Sequence, residues 1–297
     1  LLVFGGWRFD NGMKLTSRLG RHALQYGESL FFGDNGIARA QGPVDIDKLL
    51  ASPNAQFKEI IRPVPQLSAQ LQLSPQLSLG GYLQFRWEED RLAPSGSYFS
   101  TANIPWGAQQ PEFVSIPAGT PISGNYVLAP GVDQKPKNSG QFGLNLRYKP
   151  SGGDTEYAAY FIRYHDKIPF IGFKSYCIGG SSGCIADPAN QVISAAVEQY
   201  GENRNLFGVS LNTKLGDWAI GAELSYRPRD SVAIDPTVPF AGRYSLAEAA
   251  VAANGAEALV NGYVTEKKWQ AHLTGFRLFA PEMTAPLGAA EGYFLGE

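Results

Sequence analysis

The chain has 297 residues, a formal net charge of −2 at neutral pH and only 18% charged residues. A net charge this close to zero gives no electrostatic footprint for nucleic acid, so no nucleic-acid partner is expected. No apolar run approaches the roughly 18 residues of a membrane-spanning helix, but membrane barrels escape that test because their strands carry only weak hydropathy signals.

Nine segments are predicted to be β-strands, most of them with alternating apolar and polar residues. In 77–88 the odd positions from Leu77 to Trp87 are apolar apart from Gly81, and the even positions are polar, glycine or tyrosine. Because side chains on a strand point alternately to opposite faces, we expect the face from Leu77 to Trp87 to contact lipid. The nine predicted strands are 3–9, 13–22, 59–73, 77–88, 141–148, 155–164, 205–214, 218–227 and 263–279.

The connections between these strands alternate in length. Four are tight turns rich in Gly, Pro, Asn or Asp, namely FDNGM, SPQ, KPSGGD and LGD. The connections between the hairpins are far longer than is usual in compact domains, and they span 23–58, 89–140, 165–204 and 228–262. This alternation is typical of outer-membrane barrels, which have short periplasmic turns and long extracellular loops.

We therefore predict an all-β fold, an antiparallel transmembrane β-barrel in the outer membrane of a Gram-negative bacterium. Aromatic residues near the ends of the apolar faces fit the aromatic girdles of such barrels; they are Trp87, Phe142, Tyr148, Trp218 and Tyr226. Bacterial barrels have even strand numbers, so residues 1–297 are interpreted as one partial barrel that lacks strands at both termini. The Ala-rich stretch 245–260 predicts a short helix in a loop, capped by Ser245.

The polar strand faces supply the candidate functional residues. Charges of both signs on opposing strands would set the width and field of a pore, although they would equally serve to fill and hydrate the barrel. The lumen and gate candidates are Lys14, Arg18, His22, Glu28, Arg62, Gln84, Arg86, Glu88, Arg147, Glu223 and Arg227. The four expected nearest the long loops are Glu28, Arg62, Arg86 and Glu88.

The cysteines and acidic residues indicate no metal site. Cys177 and Cys184 enclose the short Gly/Ser-rich loop IGGSSG, which predicts a local disulfide in an oxidising compartment, with two free thiols as the alternative. Asp45 and Asp47 lack the EF-hand pattern, so a helix start is favoured there over a calcium site. No metal or cofactor is expected.

No catalytic arrangement is assembled from spacing alone, and the protein is not expected to be an enzyme. The three histidines, His22, His165 and His272, lie far apart in the sequence. Ser29 and His22 form the nearest serine–histidine combination, and a lipase-type hydrolase that uses this pair is the least favoured hypothesis.

Five stretches resemble the proteobacterial family labelled domain of unknown function 1302. They are LGRHALQYGESLFF (19–32), Pro43-Val44-Asp45, FKEIIRPVPQLSAQLQL (57–73), LQFRWEEDRLAPSGSYFST (83–101) and GVSLNTKLGDWAIGAELSYRP (208–228). Members typically carry a cysteine in the region that holds Ser95 and Gly96 here, so a loop bridge anchored there would be absent.

The resemblance implies an outer-membrane barrel for the export or uptake of hydrophobic molecules or lipids. The implied partners are outer-membrane lipids and detergent-like molecules, a periplasmic lipoprotein-like protein and an RND-type transporter. We predict a porin-like barrel for passage of small hydrophobic or amphipathic molecules or lipids. The alternative is a structural barrel that docks a periplasmic lipid carrier or the RND-type system.

Overall fold

A computed structural model of the chain describes residues 2–52, 55–94, 96–100, 112–116, 124–175, 192–235 and 259–297. The strands are β1 (Leu2–Arg8), β2 (Lys14–His22), β3 (Val64–Gln72), β4 (Leu77–Gln84), β5 (Glu112–Ile116), β6 (Gly124–Pro130), β7 (Gln141–Tyr148), β8 (Glu156–Tyr164), β9 (Phe170–Ser175), β10 (Val192–Gln199), β11 (Arg204–Leu215), β12 (Trp218–Ala233), β13 (Leu259–Val260), β14 (Tyr263–Phe279) and β15 (Gly292–Gly296). The α-helices are α1 (Ile46–Ala51), α2 (Phe57–Ile60) and α3 (Pro281–Thr284), and 3₁₀ turns span Ile37–Ala40 and Ala285–Leu287. Within these ranges no helix is long and apolar enough to cross a membrane.

Ten strands form one large antiparallel sheet, which confirms the predicted all-β fold. The order is β1-β2-β3-β4-β7-β8-β11-β12-β14-β15, so all nine predicted strands lie in it, and β15 is an addition. Consecutive hairpins place the four predicted tight turns at the same end of the sheet, here called the turn end; the opposite end is the loop end. In the described part of the chain the sheet is not closed, and β1 and β15 are its edges.

On strands such as β7, one face of this sheet buries polar side chains and the other leaves apolar side chains exposed, the reverse of the pattern in a soluble protein. On β7 the polar Gln141 and Asn145 are 1% and 3% exposed, whereas Leu144 and Leu146 are 49% and 44% exposed. Soluble proteins rarely bury polar residues while leaving a row of leucines open. We call the face with the buried polar residues the inner face and the apolar one the outer face.

The alternation of faces predicted for 77–88 is confirmed for most of the strand and wrong at its end, and contact of the apolar face with lipid stays a prediction. Leu79, Leu83 and Phe85 lie on the outer face and are exposed. Trp87 is buried, and its Nε1 donates to the carbonyl oxygen of Asp166 at 2.9 Å. The strand ends at Gln84 and two bent residues follow, so the alternation is lost before Trp87 is reached.

The predicted strand 59–73 also begins too early. Residues 57–60 form the helix α2, and the strand begins only at Val64. Pro63, directly before the strand, fits this later start, because proline cannot donate a hydrogen bond to the neighbouring strand, whereas Pro65 is accommodated within β3.

The long connections contain more structure than was predicted. A second sheet of five strands, in the order β13-β9-β10-β6-β5, is built from the last three of them. Its β10–β6 pair is parallel and the others are antiparallel. The predicted helix 245–260 lies outside the described residues as far as 258, and Leu259–Val260 is the strand β13. Cys177 and Cys184 also lie outside the described residues.

The first long connection covers the inner face of the large sheet. We call residues 23–63 the inner segment. Asp45 begins α1 within it by accepting the Lys48 N–H at 3.0 Å, which fits the predicted helix start. Its 3₁₀ turn packs against β8, β11 and β12. The resulting apolar core comprises Tyr26, Ile37, Ala40, Tyr82, Ala158, Tyr160, Ile162, Tyr164 and Leu206.

Candidate functional site

Glu223 on β12 joins the inner segment to the sheet. Its buried carboxylate accepts the backbone N–H of Glu28 at 2.7 Å and that of Ile37 at 3.0 Å. A Cβ atom at Gly27 or at Gly36 would clash with a Glu223 carboxylate oxygen where it now lies, so glycine at both positions allows this close approach. One side chain thus fixes both ends of the stretch 28–37.

Glu28 itself faces β11. Its carboxylate accepts hydrogen bonds from the Ser210 hydroxyl at 3.2 Å and the Asn212 amide at 3.0 Å. Burial raises the pKa of Glu28, and these two donors oppose that rise by stabilising the carboxylate. The Thr274 hydroxyl on β14 donates to the Glu28 carbonyl oxygen at 3.3 Å. Three neighbouring strands therefore hold one residue of the inner segment.

Arg227 adds a cationic contact four residues beyond Glu223. Its buried guanidinium donates to the carbonyl oxygens of Gly36 at 2.7 Å and Asn35 at 3.3 Å. The same guanidinium donates to Gln270 on β14 at 2.5 Å. The Glu223 carboxylate thus accepts backbone N–H groups of the inner segment, and the Arg227 guanidinium donates to backbone carbonyl oxygens of the same segment.

Glu297, directly after β15, is the third residue, after Glu223 and Arg227, whose charged side chain bonds to the inner segment. Its carboxylate accepts the Phe31 N–H at 2.7 Å, the Leu30 N–H at 3.0 Å and the Ser29 hydroxyl at 2.5 Å. Burial would raise the pKa of this carboxyl, but the donors outweigh it and the pKa lies below its ordinary value. His272 Nδ1 lies 3.3 Å from the same carboxylate.

Three of the predicted gate residues meet in one cavity at the loop end. The cavity has a volume of about 570 Å³, and Arg62, Arg86 and Glu88 line it. Its charged walls are Arg21, Arg62, Arg86, Lys135, Glu88 and Glu89. Glu28, which was expected beside them, does not line this cavity, and its backbone N–H contacts Glu223 instead. We call this space the rim cavity.

A buried ionic cluster lies at the loop end, and sequence reasoning did not identify it. Arg39 of the inner segment contacts Asp90 at 2.8 Å and Asp34 at 3.0 Å. Burial by itself would lower the pKa of Arg39, but the Asp90 and Asp34 carboxylates outweigh it and raise the pKa above its ordinary value. Lys167 is buried nearby, and its ammonium donates to Gln141 at 3.2 Å and to the His165 carbonyl at 3.3 Å.

Lys167 makes the stability of the fold depend on pH. Burial first, and Arg39 second, lower the pKa of Lys167 from 10.5 to about 8. Between these values the unfolded chain binds a proton that the folded chain lacks, so the free energy of unfolding rises with pH, by up to about 3 kcal/mol. We expect the unfolding free energy of the wild type to rise by that amount relative to that of Lys167→Met from pH 7.5 to pH 10.5. Denaturant titration of both proteins at each pH measures this change. A difference independent of pH would contradict this assignment.

The remaining candidates face inward but are not brought together. Lys14, Arg18 and His22 are on the inner face of β2, opposite Gln72, Ser68 and Val64. Arg147 pairs with Glu156 at 2.9 Å near the turn end. The Gln84 amide donates to the Gln41 carbonyl of the inner segment. Their roles in a pore remain predictions.

The structure separates the serine and histidine of the lipase hypothesis. His22 Nε2 lies 2.8 Å from the Ser68 hydroxyl, whereas Ser29 donates to Glu297. His22 Nδ1 faces the Gly20 carbonyl at 3.1 Å, and among the described residues no carboxylate bonds to this ring as in a catalytic triad.

The inner segment and its ionic anchors were missed because they are long-range contacts. One signal was present: β8, EYAAYFIRY, is apolar on both faces, which is typical of a strand covered on both sides.

The chain is thus an all-β protein whose large antiparallel sheet has an exposed apolar outer face and an inner face of mixed polar and apolar residues that the inner segment covers at β8, β11 and β12. Residues 1–297 match the family described as "Protein of unknown function (DUF1302)", and the chain belongs to that family. This confirms the resemblance seen in the sequence. No curated protein and no solved structure matches the chain.

Proposed function

We propose that the protein is an outer-membrane barrel for the passage of small hydrophobic or amphipathic molecules or lipids. The observation that carries the proposal is the exposed apolar belt of the outer face, with polar residues buried on the inner face. Lipid is the environment in which such a belt is stable, and strands cross lipid only when all their backbone groups are paired. The sheet then closes into a barrel around the inner segment.

The aromatic residues of the outer face support a membrane position. Tyr148 and Tyr157 pair near the turn end, and Tyr226 stacks on Trp269 toward the loop end with ring centroids 4.4 Å apart. Trp218 and Tyr226 are eight positions apart on β12, roughly 26 Å along a strand. Once strand tilt is allowed for, this spacing suits two aromatic girdles on a thin membrane.

In the proposed barrel, the inner segment acts as the gate. It covers the inner faces of β8, β11 and β12, where a free lumen would otherwise lie. Passage therefore requires the anchors on Glu223, Arg227 and Glu297 to yield, or a path along the rim cavity.

The test is mass spectrometry of organic extracts from the protein purified in mild detergent. A mock purification and an unrelated barrel are the controls. Reproducible enrichment of a lipid or hydrophobic metabolite is the expected result. An empty barrel that conducts nothing when reconstituted, yet retains a periplasmic lipoprotein in pull-downs, would overturn the proposal in favour of a docking role.

A further inference from the structure

The rim cavity carries an excess of positive charge that its own walls do not neutralise. Glu88 is paired with Arg21 at 2.9 Å, and Glu89 is paired with Lys135 at 3.0 Å. Both carboxylates are thereby satisfied, which leaves the other two cations of the cavity without an acidic partner among the described residues.

These two cations are Arg62 and Arg86. Arg62 Nη1 donates to the uncharged carbonyl oxygen of Glu89 at 2.9 Å. Arg86 is exposed and makes no hydrogen bond or ion pair with any residue in the described ranges. A guanidinium presents several N–H donors in a planar fork, which suits the paired oxygens of a carboxylate or phosphate. The cavity therefore presents a site for an anion.

The position of the rim cavity also favours an apolar portion on the ligand. Phe85 is exposed on the outer face, and the next residue, Arg86, lines the cavity. Trp87 and Pro136 add apolar wall on the inner side. The charged headgroup of a ligand would thus contact Arg86, and its apolar tail would lie near the adjacent residue, Phe85.

We propose that the rim cavity binds the anionic headgroup, phosphate or carboxylate, of an amphipathic molecule, with Arg86 and Arg62 as its contacts. This inference rests on the proposed function, because it names the class of molecule that the barrel would carry. Arg86 is the residue to test, since its replacement removes no side-chain hydrogen bond or ion pair among the described residues.

The experiment is calorimetric titration of the full chain in dodecyl maltoside micelles. The probes are octyl phosphate, 1-octanol and inorganic phosphate, each corrected with protein-free micelles. We expect octyl phosphate to bind at least about tenfold more tightly than the other two, and Arg86→Gln to weaken that binding about tenfold. Arg229→Gln, at an exposed arginine of β12 outside the cavity, is the matched control and leaves binding unchanged.

Three results of the titrations would overturn the inference. They are equal affinity for octyl phosphate and 1-octanol, equal affinity for octyl phosphate and inorganic phosphate, and unchanged binding by Arg86→Gln. If the organic extracts contained neutral lipids and no anionic ones, the inference would also be overturned, while the passage function would stand. Headgroup binding in these titrations, with empty extracts and no conductance, would instead support the site and remove the passage function.

Discussion

Replacing Glu223 by alanine is expected to release the inner segment and open an ion-conducting path. The change removes the shared acceptor of the Glu28 and Ile37 N–H groups and leaves both donors without it. Hydrogen bonds to a charged acceptor are worth about 1.5–3 kcal/mol each, so the docked state should lose about 3–6 kcal/mol. That raises the population of the released state by roughly two to four orders of magnitude. Single-channel recordings in planar bilayers would show frequent long openings in place of rare ones.

Ser225→Ala is the matched control for this experiment. Ser225 is buried on the same face of β12, two positions along, and makes no hydrogen bond to the described part of the inner segment. It should leave the recordings unchanged. Glu223→Gln keeps one acceptor oxygen and should give an intermediate opening frequency. If Glu223→Ala conducted no more than the control while remaining folded, the inner segment would not be the gate.

The strands were predictable from the sequence because their pattern is local. Alternation with period two requires only that one face meet apolar surroundings, and it identified nine strands of the large sheet. It failed where the pattern is interrupted, at Pro63 directly before β3 and after Gln84 at the end of β4. The strands β5, β13 and β15 were missed because they have five residues or fewer, which establish no period. The longer strands β6, β9 and β10 were missed because their sequences, GNYVLAP, FIGFKS and VISAAVEQ, do not alternate.

The candidate site was predictable only where neighbouring strands place it. Arg62 precedes β3 and Arg86 follows β4, so the antiparallel pairing of these strands brings both to one end. The contact between Glu28 and Glu223 joins residues 195 positions apart, and only the folded chain reveals it. The ionic cluster of Arg39, Asp90 and Lys167 likewise comes from three separate connections, none of which carries a recognisable motif.

Replacing Leu144 by arginine is expected to destabilise the protein strongly in a lipid bilayer. Leu144 lies on the outer face of β7, between the aromatic positions Phe142 and Tyr148, and is 49% exposed. Arginine at the lipid-facing midplane of a barrel costs about 2–4 kcal/mol, whereas a half-exposed position in water tolerates it within about 0.5 kcal/mol. The free energy of unfolding in lipid vesicles, followed by tryptophan fluorescence in guanidinium, measures this cost.

Val132→Arg provides the comparison that makes this result decisive. Val132 is 88% exposed and lies in a connection rather than in the large sheet, so arginine there remains in water in either environment. A cost at Leu144 that exceeds the cost at Val132 by 2 kcal/mol or more is expected if the outer face meets lipid. Equal costs at the two positions would mean that the apolar belt is covered by water or by protein. The membrane position would then fail, and with it the proposed passage function, because both depend on the environment of that one face.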